Sequence, residues 1–251
     1  VLTHALVFVA LGAAFGFLGG AFGIGGGIVA IPILGIFFGL NEQLAQGTAI
    51  VMVVPNALVG VWRYLTKVTI DWRIVLAIAV PALPITVLAS RFATLLPSRD
   101  LRLAFAAFTV LLAGYMAWRA ATLGRGKARA PAGWPWALLV GVFTGLLSGL
   151  FTIGGAIFAV PILSGIFGLS QLAAQATALA FVTPGLMLSL WVFAGAGDVN
   201  WPIGIPLALG GVAAVPLGVT VASRLPDRVL RFAFVAFLLA CAVGLFVRAQ
   251  S

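Results

Sequence analysis

From Ala130 to Gly197 the chain carries no Asp, Glu, Lys or Arg, and neither does the stretch from Ala5 to Asn41. No soluble core element needs so long an uncharged run, whereas one crossing of a hydrocarbon layer about 30 Å thick takes about 20 apolar residues as a helix. The rest of the sequence agrees: 63% of its 251 residues are hydrophobic, only 8% are charged, and the mean hydropathy is +1.23. Soluble domains are about a quarter charged. The chain reads as an all-α polytopic membrane protein with no room for a soluble domain.

A net charge of +9 suggests nucleic acid at first sight. The Lys and Arg residues, however, sit in short breaks between apolar runs and not in one patch, which fits positive-inside topology and no nucleic-acid partner. Cys241 and His4 are each the only residue of their kind. An intrachain disulfide, a thiolate metal cluster and a histidine metal site are therefore not expected, nor is any cofactor. The opening VLTHALVFVALGAAFGFLGG lacks a basic leader region, and its counterpart recurs inside the chain, so it is read as a mature helix and not a signal peptide.

The string FGIGGGIVAIPIL at Phe22 to Leu34 returns as FTIGGAIFAVPIL at Phe151 to Leu163, and 12 of 19 positions match at an offset of 129 over Phe22 to Leu40. Gln46, Thr48 and Pro55 then pair with Gln175, Thr177 and Pro184, and Trp62 and Trp72 pair with Trp191 and Trp201. Beyond Trp72 an indel of four residues is expected before register returns at Pro97 and Pro226. The division is residues 1–123 as membrane repeat 1, 124–135 as a basic linker and 136–251 as membrane repeat 2. Charges and turn residues cut each repeat into five apolar runs, of which the second and seventh (24 to 40 and 154 to 169) are at or below spanning length.

Placing the linker, with Arg119, Arg125, Lys127 and Arg129, in the cytoplasm and counting five crossings per repeat also puts Arg63, Lys67, Arg73, Arg224, Arg228 and Arg231 there, ten of the fourteen basic residues. Four crossings per repeat give only eight to six. The positive-inside rule thus favours an odd unit, and an odd unit inverts the second copy. Arg99 and Arg228, both in basic loops on opposite sides, run against that count.

Before each repeated string stands a glycine ladder, Gly12, Gly16, Gly20 and Gly141, Gly145, Gly149, whose spacing of four makes one small-residue face for close helix packing. Gly23, Gly25, Gly26 and Gly27 then interrupt the apolar run with Pro32 five residues on, and Gly154, Gly155 and Pro161 repeat this. Broken or re-entrant helices are expected at both places. A nucleotide loop is excluded, because no Lys-Ser/Thr follows and no strand precedes. A helix starting at such a break has unpaired N–H groups and about half a positive charge at its N-terminus, and can receive an anion without a buried Lys or Arg. The other reading is a tight interhelical turn.

Gln46, Thr48 and Asn56 in the third run, and Gln175, Thr177 and Thr183 in the eighth, either tie helices together or donate to a solute's oxygens. The seven tryptophans fall at predicted helix ends, as interface anchors. Pro81, Pro84, Pro206 and Pro216 are expected to kink the fourth and ninth runs. The acidic residues Glu42, Asp71, Asp100, Asp198 and Asp227 lie in loops or at helix ends, none at the midplane. Glu42, opposite Gln171 in the copy, is the best candidate for proton coupling, against the simpler reading of an exposed loop carboxylate.

The duplicated glycine string ending in Ala-Ile/Val-Pro-Ile-Leu, the Ala-Gln-x-Thr-Ala segments at 45 to 49 and 174 to 178, and the basic central linker resemble the TauE/SafE sulfite exporter family over nearly the whole chain. The resemblance implies transport of sulfite, sulfoacetate or another small organosulfur anion across the bacterial inner membrane. The second copy departs from the first at Thr152 and Ala156, which stand where Gly23 and Gly27 stand.

The expectation is a secondary transporter, not an enzyme, with a small anion as its partner in the bilayer and a cavity between the two repeats. Gly25, Gly26, Gly27, Gly154 and Gly155 would present backbone N–H groups, and Gln46, Thr48, Asn56, Gln175 and Thr177 side-chain donors. No carboxylate, His or Cys cluster suits a metal cation. The alternatives are a permease for a different solute and a membrane scaffold or assembly factor.

Overall fold

A computed structural model describes residues 2–122, 134–152 and 154–250. Among them are ten α-helices and no strand: α1 (Leu2–Phe22), α2 (Gly27–Phe38), α3 (Glu42–Leu65), α4 (Trp72–Leu95), α5 (Ser98–Thr122), α6 (Trp134–Phe151), α7 (Gly154–Ile166), α8 (Gln171–Gly195), α9 (Trp201–Arg224) and α10 (Asp227–Gln250). Each apolar run forms one helix. The linker anticipated at 124–135 lies outside the described residues apart from Trp134 and Pro135, which open α6.

The helix starts are written into the sequence twice. Asn41 and Ser170 cap α3 and α8, accepting from the Leu44 and Ala173 N–H groups at 2.8 and 3.2 Å. Asp71 and Asn200, again 129 apart, cap α4 and α9. Among the described residues, five helices, α1, α3, α4, α8 and α9, are long and apolar enough to cross a membrane. By contrast α2 and α7, of 12 and 13 residues, rise only about 18–20 Å and cannot cross one.

The glycine ladders set the packing. Side chains at Gly12, Gly16 and Gly20 of α1 would collide with the α9 backbone at Leu207, Gly211 and Val215, and Gly141, Gly145 and Gly149 of α6 meet α4 at Ile78, Ala82 and Thr86. Numbers rise together in both pairs, so each pair is parallel. Asn56 and Gly60 of α3 meet Gly211 and Val215 of α9, while Ser90 and Ser189 hydroxyls bond at 2.8 Å between α4 and α8. Between α3 and α8 the order reverses, Gly60 against Leu179 and Tyr64 against Gln175. Hence α1, α3 and α9 run one way and α4, α6 and α8 the other.

The repeats are interlaced in space. The fourth helix of each copy packs on the first and third of the other. The last helix does likewise through phenylalanines: Phe22, which opens the first string, packs against Phe234 and Phe237 of α10 with ring centroids 5.8 and 4.7 Å apart, and Phe151 against Phe105 and Phe108 of α5 at 5.3 and 5.4 Å. All these pairs keep the offset of 129, and α4 and α9 are both 24 residues long. The expected four-residue indel is therefore absent. What differs is proline placement, and both helices continue unbroken through their prolines.

An apolar stripe faces outward at equivalent positions of both helices: Leu76, Val80, Leu88 and Phe92 of α4, and Ile205, Leu209, Leu217 and Val221 of α9, are 42–67% exposed. A stripe of that size belongs in lipid. Trp62, Trp72, Trp136, Trp191 and Trp201 are exposed at helix ends, as interface anchors should be.

Candidate functional site

The first glycine string breaks the chain as its composition dictates, at the glycines and not at Pro32, which lies inside α2. Gly23, Gly25 and Gly26 adopt φ of +67°, +70° and +88°, a region costly to residues with a Cβ. The chain folds back so tightly that a Cβ at Gly26 would collide with the Phe15 carbonyl, and one at Gly25 would lie 2.6 Å from Val53 Cγ1. Gly26 caps α2 without a side chain, and the first bond inside the helix runs from the Ala30 N–H to the Gly26 carbonyl at 3.4 Å. Gly25 lies against Val53 and Asn56, midway along α3, so α2 begins near mid-depth.

Three side chains from two helices, α3 and α8, secure this break. Asn56 Nδ2 donates to the Gly25 carbonyl at 3.3 Å, and the buried Tyr64 hydroxyl donates to the Gly20 carbonyl at 2.6 Å while lying 3.2 Å from Gln175 Oε1. Gln175 also packs on Gly23, where a Cβ would come within 2.6 Å of its own Cβ. Asn56 Oδ1 and Gln175 Nε2 are buried without a partner.

At the second break, Thr152 takes the place of Gly23 and still adopts φ +57°, fully buried, with its hydroxyl donating to the Phe151 carbonyl at 2.8 Å. A β-branched residue in this region is strained. Gly154 begins α7, and Gly155 presses on α6, where a Cβ would lie 2.7 Å from the Thr144 carbonyl oxygen and 3.2 Å from Ser148 Oγ. Between α4, α6 and α8 is a cavity of about 10 Å³ lined in part by Thr86, Thr144, Ser148 and Gly185.

The ten residues proposed from sequence fall into separate groups. Gly25, Gly26, Gly27, Asn56 and Gln175 gather around the first break. Gly154 and Gly155 form the second. Gln46 lies eighteen residues before Tyr64 on α3, about 27 Å of helix rise, so the two glutamines occupy opposite ends of the α3–α8 pair. Gln46 Nε2 donates to Glu42 Oε1 at 3.3 Å, and its own Oε1 is buried without a partner. Thr48 is a tie between elements: its hydroxyl accepts from the Asn200 N–H at 3.0 Å and holds the α8–α9 loop. Thr177 is buried on α8.

Glu42 is not an exposed loop carboxylate. It is 2% exposed in the first turn of α3, and its counterpart Gln171 is 1% exposed. Tyr64, Thr86, Thr144 and Ser148 escaped the sequence reading because each is one polar group inside an apolar run. The signal that finds them is the copy: at offset 129 they face Phe193, Val215, Phe15 and Gly19, polar in one half and apolar or absent in the other.

Interlaced, lipid-faced helices with two half-length members define a polytopic all-helical membrane protein. The sequence profile of the family described as sulfite exporter TauE/SafE matches residues 8–245, and the chain belongs to that family. It is 27% identical over 225 residues to a "probable membrane transporter protein" of Methanocaldococcus jannaschii, covering 82% of this chain and 81% of that one. A protein of the same name from Xylella fastidiosa (strain Temecula1) is 27% identical over 230 residues, covering 88% and 85%. The protein is a membrane transporter, and its family points away from enzymes.

Proposed function

We propose that the protein moves a small sulfur-containing oxyanion, sulfite, sulfoacetate or a related organosulfonate, between its two interlaced halves in the bacterial inner membrane. The observation that carries this reading is the pair of half-length helices, α2 and α7, each starting at a glycine break, the first beside the middle of α3 and the second against Thr144 and Ser148 of α6. Their first N–H groups and dipoles supply positive potential. A fixed Lys or Arg would bind an anion more tightly and cost about 3 kcal/mol to bury, and a transported solute must also leave.

The two copies are inverted in the bilayer in this proposal. In support, α1 and α6 run in opposite directions through the chain of contacts α1–α9–α3–α8–α4–α6. The end of the molecule bearing Arg63, Lys67, Arg73, Arg224 and Arg228 then faces the cytoplasm together with the linker.

The direct test is uptake of radiolabelled sulfite and sulfoacetate into proteoliposomes. Saturable, protein-dependent flux of either is expected. Flux of another small solute but of no sulfur oxyanion would overturn the substrate and leave the transporter.

A further inference from the structure

The two breaks differ most in what surrounds them. At the first, Phe15 and Val215 are apolar, Gly19 has no side chain, and Asn56 fills the space and donates to the Gly25 carbonyl. At offset 129 these positions are Thr144, Thr86, Ser148 and Gly185. Where the first half has Asn56, the second has no side chain, and a cavity of about 10 Å³ remains, about the room one water needs.

The hydroxyls around it are not alike. Thr86 donates to the Gly145 carbonyl at 3.2 Å, and Thr144 to the Val140 carbonyl at 2.7 Å, so both protons are committed. Ser148 is 3% exposed, and its Oγ has no partner. A helical serine ordinarily donates to a carbonyl one turn back, and a buried hydroxyl without a partner calls for a ligand. Its Oγ stands 3.2 Å from where a Cβ of Gly155 would be, at the second residue of α7. The uncommitted Ser148 hydroxyl therefore stands both on the lining of this small space and against the first turn of α7.

We propose that the solute oxyanion is held asymmetrically, at the second break alone. One of its oxygens accepts from the Ser148 hydroxyl and from N–H groups in the first turn of α7, and Gly185 keeps the space open. The first break is its structural counterpart, closed by Asn56. An oxyanion exceeds the present volume, so admitting it requires the α4–α8 seam to part, where Thr86 faces Gly185 and the Ser90 and Ser189 hydroxyls bond. This site rests on the transport reading above.

The test uses the full chain with sodium sulfite, comparing wild type with Ser148→Ala and Gly185→Asn. In proteoliposomes the KM for sulfite is expected to rise about ten- to hundredfold in S148A, the worth of one hydrogen bond to a charged group. G185N is expected to lose saturable uptake altogether. S148A should unfold in detergent at the wild-type temperature without sulfite, since the hydroxyl it loses bonds to nothing in the protein. A wild-type KM in S148A, with wild-type flux normal, overturns the asymmetric site and leaves the function. If wild type transports no sulfur oxyanion, the function reading fails by itself, and the site is then scored by thermal stabilisation with sulfite, sulfate and phosphate. Stabilisation of wild type at concentrations about tenfold below those S148A requires supports the site; equal stabilisation, or none of wild type, overturns it.

Discussion

The chain turns back on itself after α1 and again after α6, through strings of nearly the same sequence, yet the neighbours differ. After α1, Asn56, Tyr64 and Gln175 reach in from α3 and α8, and three glycines take left-handed conformations that no side chain opposes. After α6, a threonine is held in the same left-handed region, Phe193 replaces Tyr64, and Gly185 replaces Asn56. Duplication supplies two identical devices. Their divergence leaves one clamped by side chains, with Asn56 Oδ1 and Gln175 Nε2 unpaired beside it, and the other with a strained threonine, an unpaired serine hydroxyl and free volume.

Exchanging residues between the breaks tests this difference most severely. Gly23→Thr would put a β-branched residue at φ +67° with its Cβ 2.6 Å from that of Gln175. A loss of about 2–5 kcal/mol is expected, from the left-handed backbone and from overpacking together, seen as a large fall in the unfolding temperature in detergent. Gly26→Ala should do comparable damage, so leucine there would report on folding before transport. The reverse exchange, Thr152→Gly, relieves strain at the loss of one hydroxyl bond and should change stability by no more than about 1 kcal/mol. Equal damage from the two exchanges would show that the breaks are equivalent after all.

The hydroxyl of Tyr64 provides the next step. Tyr64→Phe strips the Gly20 carbonyl and Gln175 of a partner, and about 1–3 kcal/mol should be lost. Phe193→Tyr puts a hydroxyl at the matching position of the other half, on the level of Gln46, whose Oε1 is unpartnered. A gain of about 1 kcal/mol is expected there. A loss in F193Y of the size seen in Y64F would mean that the second half has no polar gap to fill.

Much of this fold was legible in the sequence because charges and caps punctuate apolar runs. All ten helices follow from that, and the small-residue ladders foretell the tightest seams. Partner choice was not legible: the faces of α4 and α9 are about equally apolar, and nothing local says that each packs on the first helix of the other copy. The glutamines looked like one symmetric site because symmetry in sequence does not fix distance, and the antiparallel packing of α3 and α8 puts Gln46 and Gln175 at opposite ends. Thr86 was obscured further by the four-residue indel expected beyond Trp72. Only at the constant offset of 129 does Thr86 stand opposite Val215.

The smallest expected effect concerns the loops after α3 and α8. Asp198, in the α8–α9 loop, has its carbonyl against Gly47, and the matching position in the other loop is the uncharged Thr69. Burial pushes the Asp198 carboxyl above its ordinary value. A carboxyl whose pKa is raised by folding supports the folded state while protonated, and that support is present below the unfolded pKa and lost as pH rises through the folded one. Asp198→Asn should therefore unfold slightly above wild type at neutral pH, and the two should converge on acidification. The group is partly exposed, so solvent screening keeps the difference small. Melting curves of both proteins from pH 4 to pH 8 measure it, and a gap that widens toward acid would mean that the charged form of Asp198 has a partner in this loop which Thr69 lacks in the other.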